Sequence, residues 1–373
     1  MSVLILTSNR HPVIMDEYEA LKNTLPQIVL QSFMPPGQLM RALLINARIL
    51  ILNVKYLFLF MGLFIHLDKF PPHHLLYWYL HLVYVLVLDR KYSFRVIHAQ
   101  WLYPAGLIAT TYSKFIPKHV VITVHGYDAD ERTFSNERLT KLVIEVGLRA
   151  NKLITAERRL YDNLLGHGLN GVVLTNNFVD TSKYDFNKET SEIRSQLQLE
   201  KDAFVVVFGP RVSEMYGALD FARAIVKISK DIPNLFVICL GEVQTNYVAQ
   251  LFAENRVQHR LTGELDNEMV FSYLKACDIV CNFGYISQGV FTLEAFACGK
   301  ATIGFYDIRE VKIEDGITGL LAKSGDVEGI AKLISELYVD EKLRKVLEKN
   351  AKEILKSRYS KEKRINDILA AYR

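Results

Sequence analysis

A glycine-led helix in the second half of the chain carries the residues best suited to chemistry. The segment 289–301 reads GVFTLEAFACGKA, so Gly289 opens a predicted helix and Glu294 lies in its second turn. A helix N-terminus offers unpaired N–H groups and about half a positive charge, which suits a diphosphate. Glycine there lets a ligand approach the backbone. The alternative is an ordinary strand–helix–strand connection. The donor-binding prediction at this helix comprises Gly289, Val290, Phe291, Thr292 and Glu294.

Strand-like and helical segments alternate along the chain and must position these residues. Apolar runs such as 3–7, 119–125 and 203–208 predict buried strands, and helical patterns separate them. This alternation favours doubly wound parallel sheets. A polar stretch, 181–201, separates two such series. We therefore predict an N-terminal domain over 1–182, a C-terminal donor domain over 183–352, and a final helix over 353–373 that returns to the first domain.

The stretch 38–67 is mostly apolar, and a second apolar run follows over 75–88. Three readings stay open. The two runs form buried helices that cover the sheet, they dip an aromatic face into a bilayer interface, or they span the membrane as a pair. The second run is shorter than the roughly 20 residues that a span needs, and cations interrupt the first. The aromatic face would comprise Tyr56, Phe58, Phe60, Tyr77, Trp78 and Tyr79.

Composition narrows the class of protein. Half of the 373 residues are hydrophobic and 23% are charged, which excludes a disordered or fibrous chain. The net charge of +4 is too small to suggest a nucleic-acid partner. Residues 1–180 hold 18 basic and 13 acidic side chains, so this apolar half suits an anionic partner or a membrane surface. No basic segment precedes the first predicted strand, so we expect no secretory signal.

The segment 294–301 (EAFACGKA) resembles the second half of a known signature. That signature, E-x7-E followed by A-M-A-C-G-x-P-V, is typical of family-4 retaining glycosyltransferases of the GT-B class, the glycosyl transferases group 1. Further stretches resemble the family in the same order, among them 121–128 (VITVHGYD) and 315–321 (DGITGLL). The resemblance implies two Rossmann-like, doubly wound parallel-sheet domains that face a central cleft.

In the second half, the resemblance assigns roles to three residues after the strand 203–208. Gly209 and Arg211 match the family's G-R-L-x-x-x-K-G, which makes Arg211 the clamp on the donor's diphosphate. The family's lysine falls at Tyr216, and the first glutamate of E-x7-E falls at Ile286. Both departures weaken the expected clamp. No Asp-x-Asp motif or His/Asp ligand pair accompanies this site, so we expect no metal and no cofactor besides the nucleotide sugar.

In the first half, His125 ends a predicted strand, where open α/β sheets bind ligands. The resemblance makes it the histidine that faces the donor sugar and, together with Arg211 and Glu294, a catalytic candidate. His98 and Gln100 match the family's I-H-x-H motif, with Gln100 in place of the second histidine. The expected acceptor-side residues are Arg10, His11, His98, Gln100 and Asp128.

The resemblance implies a retaining hexosyltransferase, which we expect to be metal-independent. Its donor would be a UDP-sugar or GDP-sugar. Its acceptor would be a glycan or lipid-linked precursor of a lipid-linked or cell-surface glycan. The chain would be cytoplasmic, with peripheral contact to the cytoplasmic face of a membrane as a further expectation. Two alternatives remain: a non-catalytic GT-B protein that binds sugar nucleotides or acts as a scaffold, and a nucleotide-sugar epimerase or phosphorylase.

Overall fold

The computed structural model describes residues 1–9, 11–61, 63, 69–181 and 191–373. The chain divides into two compact units. Unit 1 comprises Met1–Asn177 and Glu362–Arg373, and unit 2 comprises Phe178–Lys361. Each unit contains its own six-stranded sheet, in which the paired strands are parallel.

The sheet of unit 1 has the strand order β2-β1-β3-β4-β5-β6. Its strands are fully or largely apolar runs because helices cover both faces of a parallel sheet. The strands are β1 (Ser2–Thr7), β2 (Gln27–Ser32), β3 (Val96–Gln100), β4 (His119–Val124), β5 (Lys152–Thr155) and β6 (Val172–Leu174). The helices are α1 (Pro12–Lys22), α2 (Pro36–Ile45), α3 (Ala47–Leu52), α4 (Val54–Phe60), α5 (Pro72–Tyr92), α6 (Leu107–Phe115), α7 (Glu131–Ser135), α8 (Glu137–Arg149) and α9 (Arg158–Gly166).

The sheet of unit 2 has the order β12-β11-β10-β7-β8-β9. Its strands are β7 (Phe204–Phe208), β8 (Leu235–Cys239), β9 (His259–Leu261), β10 (Ile279–Asn282), β11 (Ala301–Phe305) and β12 (Gly319–Ala322). Its helices are α10 (Ser191–Gln196), α11 (Ala218–Ile228), α12 (Tyr247–Glu254), α13 (Asn267–Ala276), α14 (Gly289–Ala297), α15 (Val327–Val339) and α16 (Glu341–Arg358). The last helix of the chain is α17 (Lys361–Ala371).

Each sheet reverses its strand order at one position. In unit 1 the chain runs from β1 out to β2 and then returns to place β3 on the other side of β1. In unit 2 it runs from β7 to β9 and returns to place β10 beside β7. Ligands of open α/β sheets bind outside the carboxyl ends of the strands at such reversals. The fold therefore offers one candidate site in each unit.

The unit boundaries differ from the predicted domain boundaries at 182/183 and 352/353. Val179 already packs on an apolar cluster of unit 2, which moves the first boundary toward the N-terminus. Helix α16 buries Leu347, Ala351 and Leu355 in unit 2, so the chain returns to unit 1 later than the predicted boundary at 352/353. Only Glu362–Arg373 rejoins unit 1.

Of the three readings of the apolar runs, the aromatic membrane face does not fit the positions of its six residues. Phe60 and Trp78 are buried in the core of unit 1, and the hydroxyls of Tyr77 and Tyr79 donate to the carbonyls of Met34 and Leu57. Of the six aromatics, Phe58 alone is exposed. Helix α5 is therefore a core helix. Among the described residues, no helix has both the length and the apolar character that crossing a bilayer requires.

Candidate functional site

A buried group of polar side chains lies at the carboxyl ends of β3 and β4 in unit 1. Gln100 is the last residue of β3, and His125 follows the end of β4. Gln100 lies between His125 and Glu17, a buried residue of α1. His125 Nε2 lies 2.7 Å from Gln100 Oε1, and Gln100 Nε2 donates to Glu17 Oε1 at 3.1 Å. The predicted candidates His125 and Gln100 thus contact each other directly, and Gln100 also binds Glu17, a residue that the sequence did not single out.

The chain of hydrogen bonds ends at the C-terminal helix. Arg364 of α17 donates to Glu17 Oε2 from Nη2 at 2.7 Å and from Nε at 3.2 Å. Both side chains are 97% or more buried. Burial opposes the ionisation of Glu17, but the adjacent Arg364 guanidinium outweighs it, so the pKa of Glu17 is lowered. We refer to Arg364, Glu17, Gln100 and His125 as the buried relay.

The buried relay defines which nitrogen of His125 carries the proton. An ionised Glu17 only accepts hydrogen bonds, so the amide nitrogen of Gln100 must face it. The amide oxygen of Gln100 then faces His125 and accepts the Nε2 proton. Burial lowers the pKa of His125 to about 3, which keeps the ring neutral. His125 therefore has a protonated Nε2 and an Nδ1 lone pair, which makes Nδ1 a hydrogen-bond acceptor.

His98 has a structural environment rather than an open one. Its Nδ1 lies 2.7 Å from the Tyr372 hydroxyl, and its Nε2 lies 2.7 Å from Thr123 Oγ1. The ring is fully buried, and burial lowers the pKa of His98 to about 4. Because both ring nitrogens are bonded inside unit 1, His98 has none left to bind an acceptor substrate. It instead joins the C-terminus of the chain to the sheet.

Asp128, the other buried acceptor-side candidate, holds two backbone segments together. Its carboxylate accepts from the N–H of Leu102 at 2.5 Å and from the N–H of His125 at 3.1 Å. Burial raises the pKa of Asp128 to about 7, although these hydrogen bonds oppose the rise. The geometry makes Asp128 a residue that positions the loop carrying His125.

Trp101 shows backbone strain beside His125. Its φ of +75° is in a region that non-glycine residues rarely adopt, at a cost of roughly 1–3 kcal/mol. Its N–H donates to the Thr123 carbonyl at 2.8 Å, and its ring centroid lies 5.0 Å from that of His125. Strain of this kind concentrates at functional sites, so Trp101 strengthens the case for a site at His125.

The N-terminal loop contributes one described candidate. His11 caps helix α1, where its Nδ1 accepts from the N–H of Val13 at 3.4 Å, and its side chain is exposed. Arg10 lies outside the residues that the structure describes. The predicted contact of these two residues with an acceptor stays a prediction.

In unit 2, buried amides fix the start of helix α14 at the reversal between β7 and β10. Gln288 Oε1 accepts from the N–H groups of Lys312 and Ile313, at 2.5 and 2.9 Å. Asn282, the last residue of β10, donates from Nδ2 to the Gln288 carbonyl at 2.5 Å. Gly289 has a φ of +59°, a conformation that favours glycine. The helix start that the sequence predicted as a diphosphate seat is therefore rigidly held.

The residues of the first turn divide by exposure. Phe291 and Thr292 are buried, and Thr292 Oγ1 donates to the Gln288 carbonyl at 3.1 Å. Their side chains are thus structural, whereas Gly289 and Val290 are half-buried. First-turn N–H groups have no carbonyl partner within a helix, so the backbone of Val290 and Phe291 can still donate to an anion.

Gly209 leaves space for that turn. A Cβ added to Gly209 would lie 2.7 Å from Phe291 Cζ, closer than real side chains approach. The end of β7 and the first turn of α14 can therefore pack together only because residue 209 is glycine. This close approach was not visible in the sequence, where Gly209 was read only as part of a motif.

The predicted clamp residues lie on the surface of unit 2. Arg211 is 44% exposed, and its Nε lies 3.3 Å from Glu242 Oε2. Its guanidinium also lies 5.9 Å from the ring centroid of Tyr216. Glu294 is half-buried in the second turn of α14. Ile286, at the place of the family's first glutamate, is exposed. Arg211 is therefore accessible to a ligand once Glu242 releases it.

Sequence reasoning missed Glu17, Arg364 and Tyr372 in unit 1. A signal for Glu17 existed, because it lies on the same helical face as Ile14 and Leu21, which are three and four residues away. A carboxylate on an apolar face needs a buried partner. Nothing local indicated that the partner lies 347 residues further along the chain.

The family comparison bears on unit 2. Residues 189–354 match the family model described as glycosyl transferases group 1. The chain carries a glycosyl transferases group 1 domain. Helix α14, Gly209 and Arg211 all lie within it. The predicted resemblance is confirmed, and the group 1 domain accounts for nearly all of unit 2.

Two relatives with curated descriptions extend the comparison. An uncharacterized glycosyltransferase of Methanocaldococcus jannaschii is 27% identical over 173 residues, 45% of this chain and 44% of its own length. The N-acetyl-alpha-D-glucosaminyl L-malate synthase of Bacillus anthracis is 23% identical over 294 residues, 76% of this chain and 75% of its own length. The chain thus spans less than half of the first relative and about three quarters of the second.

Solved structures support the fold across the whole chain. The Anabaena HepE protein, in complex with UDP and glucose, is similar with a TM-score of 0.75 at 16% identity, covering 99% of this chain and 98% of that one. A glycosyltransferase from Rickettsia africae has a TM-score of 0.75 at 15% identity, covering 100% and 97%. The predicted fold class, with two Rossmann-like units of the GT-B type, is confirmed.

Proposed function

We propose that the protein is a glycosyltransferase that moves a hexosyl group from a nucleotide diphosphate sugar to an acceptor. The observation that carries the proposal is the rigid start of α14. It lies at the strand reversal of unit 2, inside the group 1 domain. The position combines backbone donors, a helix dipole and the accessible cation of Arg211, which together match a diphosphate.

The proposed chemistry assigns each residue a task. The start of α14 and Arg211 stabilise the charge that develops on the leaving diphosphate. Glu294 accepts hydrogen bonds from ribose hydroxyls. His125 accepts a hydrogen bond from a sugar hydroxyl through Nδ1. The remaining acceleration comes from holding donor and acceptor in register.

We further propose UDP as the nucleotide, retention at the anomeric carbon, and a lipid-linked or cell-surface glycan precursor as acceptor. UDP is supported by HepE, whose crystal structure contains UDP and glucose. Retention is supported by the family resemblance. Reaction at the cytoplasmic face of a membrane is supported by the apolar, cation-rich N-terminal half.

A second candidate is a non-catalytic protein that binds a sugar nucleotide. Ile286 favours it, because an exposed isoleucine occupies the place of the family's first glutamate. Tyr216 in place of the family's lysine also weakens the clamp. A turnover assay distinguishes the two candidates, because only the enzyme would transfer the sugar.

Two experiments test the proposal, first nucleotide binding and then turnover. Saturation with UDP at 100 times Kd should stabilise the protein by about 2.7 kcal/mol, which a thermal-shift assay detects. Arg211→Ala and Glu294→Ala should lose the shift. Lys227→Ala is the matched control, since Lys227 is also an exposed cation of unit 2 paired with a carboxylate, Glu328.

The acceptor screen then measures UDP release from UDP-hexoses and the anomeric configuration of the product by NMR. UDP binding without turnover would favour the non-catalytic candidate. The absence of a shift with UDP or GDP and their sugars would contradict both candidates. An inverted product would contradict the retaining mechanism alone.

A further inference from the structure

Helices α2, α3 and α4 leave an apolar surface uncovered on unit 1. Their inner sides pack on the core through residues such as Leu39, Leu43 and Phe60. Their outer sides expose large apolar side chains to 70–76% of their area. These side chains are Leu44, Ile45, Ile51, Leu52 and Phe58.

The residues that form this surface follow a pattern that repeats every seven positions. Arg41, Arg48 and Lys55 follow each other at that spacing, and all three are exposed. Apolar residues follow each cation three or four positions later. Residues three and four apart share a helix face, so each short helix presents one cation beside one or two apolar side chains. We refer to these eight residues as the docking face: Arg41, Leu44, Ile45, Arg48, Ile51, Leu52, Lys55 and Phe58.

Two asparagines explain why the repeat consists of short helices instead of one long helix. Asn46 Nδ2 donates to the Ala42 carbonyl at 2.7 Å, and Asn53 Nδ2 donates to the Ile49 carbonyl at 2.9 Å. Helices α2 and α3 end directly before these residues. Each break lets the next helix begin again with its cation on the outer side, so the face follows the surface of unit 1.

All charged residues of the docking face are positive. Residues 20–67 contain no Asp or Glu. Within the part of the chain that the structure describes, neither Arg41, Arg48 nor Lys55 forms an ion pair. A self-complementary dimer would bring like charges together without any carboxylate to offset them. The charges thus disfavour a second copy as the occupant.

We propose that the docking face binds the surface of an anionic lipid bilayer. Apolar side chains flanked by Lys and Arg are the composition of helices that lie in the membrane interface. The apolar side chains enter the acyl boundary, while the long cationic side chains extend to lipid phosphates. This inference deepens the membrane contact proposed above and rests on it, but it replaces the predicted aromatic face with an aliphatic and cationic one.

Flotation with vesicles tests the docking face. Purified full-length protein is mixed with vesicles of phosphatidylcholine alone or with phosphatidylglycerol added. The wild type should float with the anionic vesicles and lose binding as salt is raised. Arg41→Gln/Arg48→Gln/Lys55→Gln should weaken partitioning roughly a hundredfold, from about fivefold per cation. Ile51→Ser/Leu52→Ser/Phe58→Ser should weaken it more than about tenfold.

The matched control is Leu148→Ser/Val339→Ser, which removes exposed apolar side chains elsewhere and should float like the wild type. The thermal shift with UDP checks that each variant is folded and keeps the proposed function separate from membrane binding. Wild type that stays in the soluble fraction would overturn the inference, as would an apolar variant that floats unchanged. Sedimentation that shows a wild-type dimer lost in the apolar variant, without flotation, would assign the face to self-association instead.

Discussion

The two candidate sites of this protein are built by opposite means. In unit 1, His125 is held by buried side chains that bond to one another and end at the C-terminal helix. In unit 2, the start of α14 is held by amides that bond to backbone groups, while Arg211 remains on the surface. A buried side-chain network fixes a tautomer, whereas a backbone cradle fixes a position. The first depends on charge pairing and the second on space.

The largest expected effect is the loss of the buried pair in unit 1. Arg364→Met leaves Glu17 charged, buried and unpaired, which costs about 3–5 kcal/mol of unfolding free energy. Lys141→Met removes an exposed pair with Glu137 and should leave the unfolding free energy nearly unchanged, because exposed ion pairs contribute little. Urea unfolding followed by tryptophan fluorescence measures this in unit 1, because both tryptophans, Trp78 and Trp101, lie there.

The double variant Glu17→Gln/Arg364→Met completes that comparison. Removing both charges should recover much of the stability that Arg364→Met alone loses, since no uncompensated charge remains. Equal losses from Arg364→Met and Lys141→Met would show that the relay is not a strongly coupled buried pair. Selective 15N labelling of histidine adds a second readout, in which wild-type His125 should show a protonated Nε2 and the Arg364 variant a mixture of tautomers.

The next prediction concerns steric packing instead of charge. Gly209→Ala places a Cβ against the Phe291 ring and should cost about 1–3 kcal/mol in unit 2. Calorimetric scans of the variant measure the loss. Gly166→Ala is the control, because nothing lies within 4 Å of a Cβ at that position.

Shortening the opposing ring tests the cause of that loss. In Gly209→Ala/Phe291→Leu the two substitutions should cost less together than the sum of their separate costs, because leucine leaves room for the added methyl group. Strict additivity would contradict the idea that the glycine exists to admit Phe291.

The difference between the units also explains what the sequence could predict. His125 was found because it ends an apolar run and Gly289 because it opens a predicted helix, and both patterns are local. Glu17 and Arg364 could not be paired from local patterns, since only the fold brings residues so distant into contact. The sequence also could not show which apolar runs are exposed to solvent. The run 75–88 and the run 38–67 are both apolar, yet the first lies in the core helix α5 and the second leaves an exposed face.

Acid should destabilise unit 1 below neutral pH. Burial lowers the pKa of His81 and His98 to about 4 and that of His125 to about 3, all below the ordinary 6.5. Between those values and 6.5 the unfolded chain binds more protons, so stability is full above about 6.5 and falls as pH drops toward 4. Asp128, with its pKa raised to about 7, acts in the opposite direction over this range.

The three histidines outnumber the one carboxyl, so at least one net proton should be taken up on unfolding. The slope is then about 1.4 kcal/mol per pH unit or more. Urea unfolding by tryptophan fluorescence at a series of pH values from 7 to 4 measures it, and His98→Asn should make the slope shallower. Stability that stays constant over this range would show that the histidines titrate normally.

The smallest expected effect concerns the exposed pair in unit 2. Arg211→Ala should change the unfolding free energy by less than about 1 kcal/mol, because exposed ion pairs contribute little. If a diphosphate must draw Arg211 away from Glu242, then Glu242→Gln removes the competitor and should tighten UDP binding by up to about fivefold. Isothermal titration measures this, with Glu328→Gln as the control for an exposed pair elsewhere in unit 2. Unchanged affinity in Glu242→Gln, together with full affinity in Arg211→Ala, would remove Arg211 from the donor site and leave the start of α14 as its anion seat.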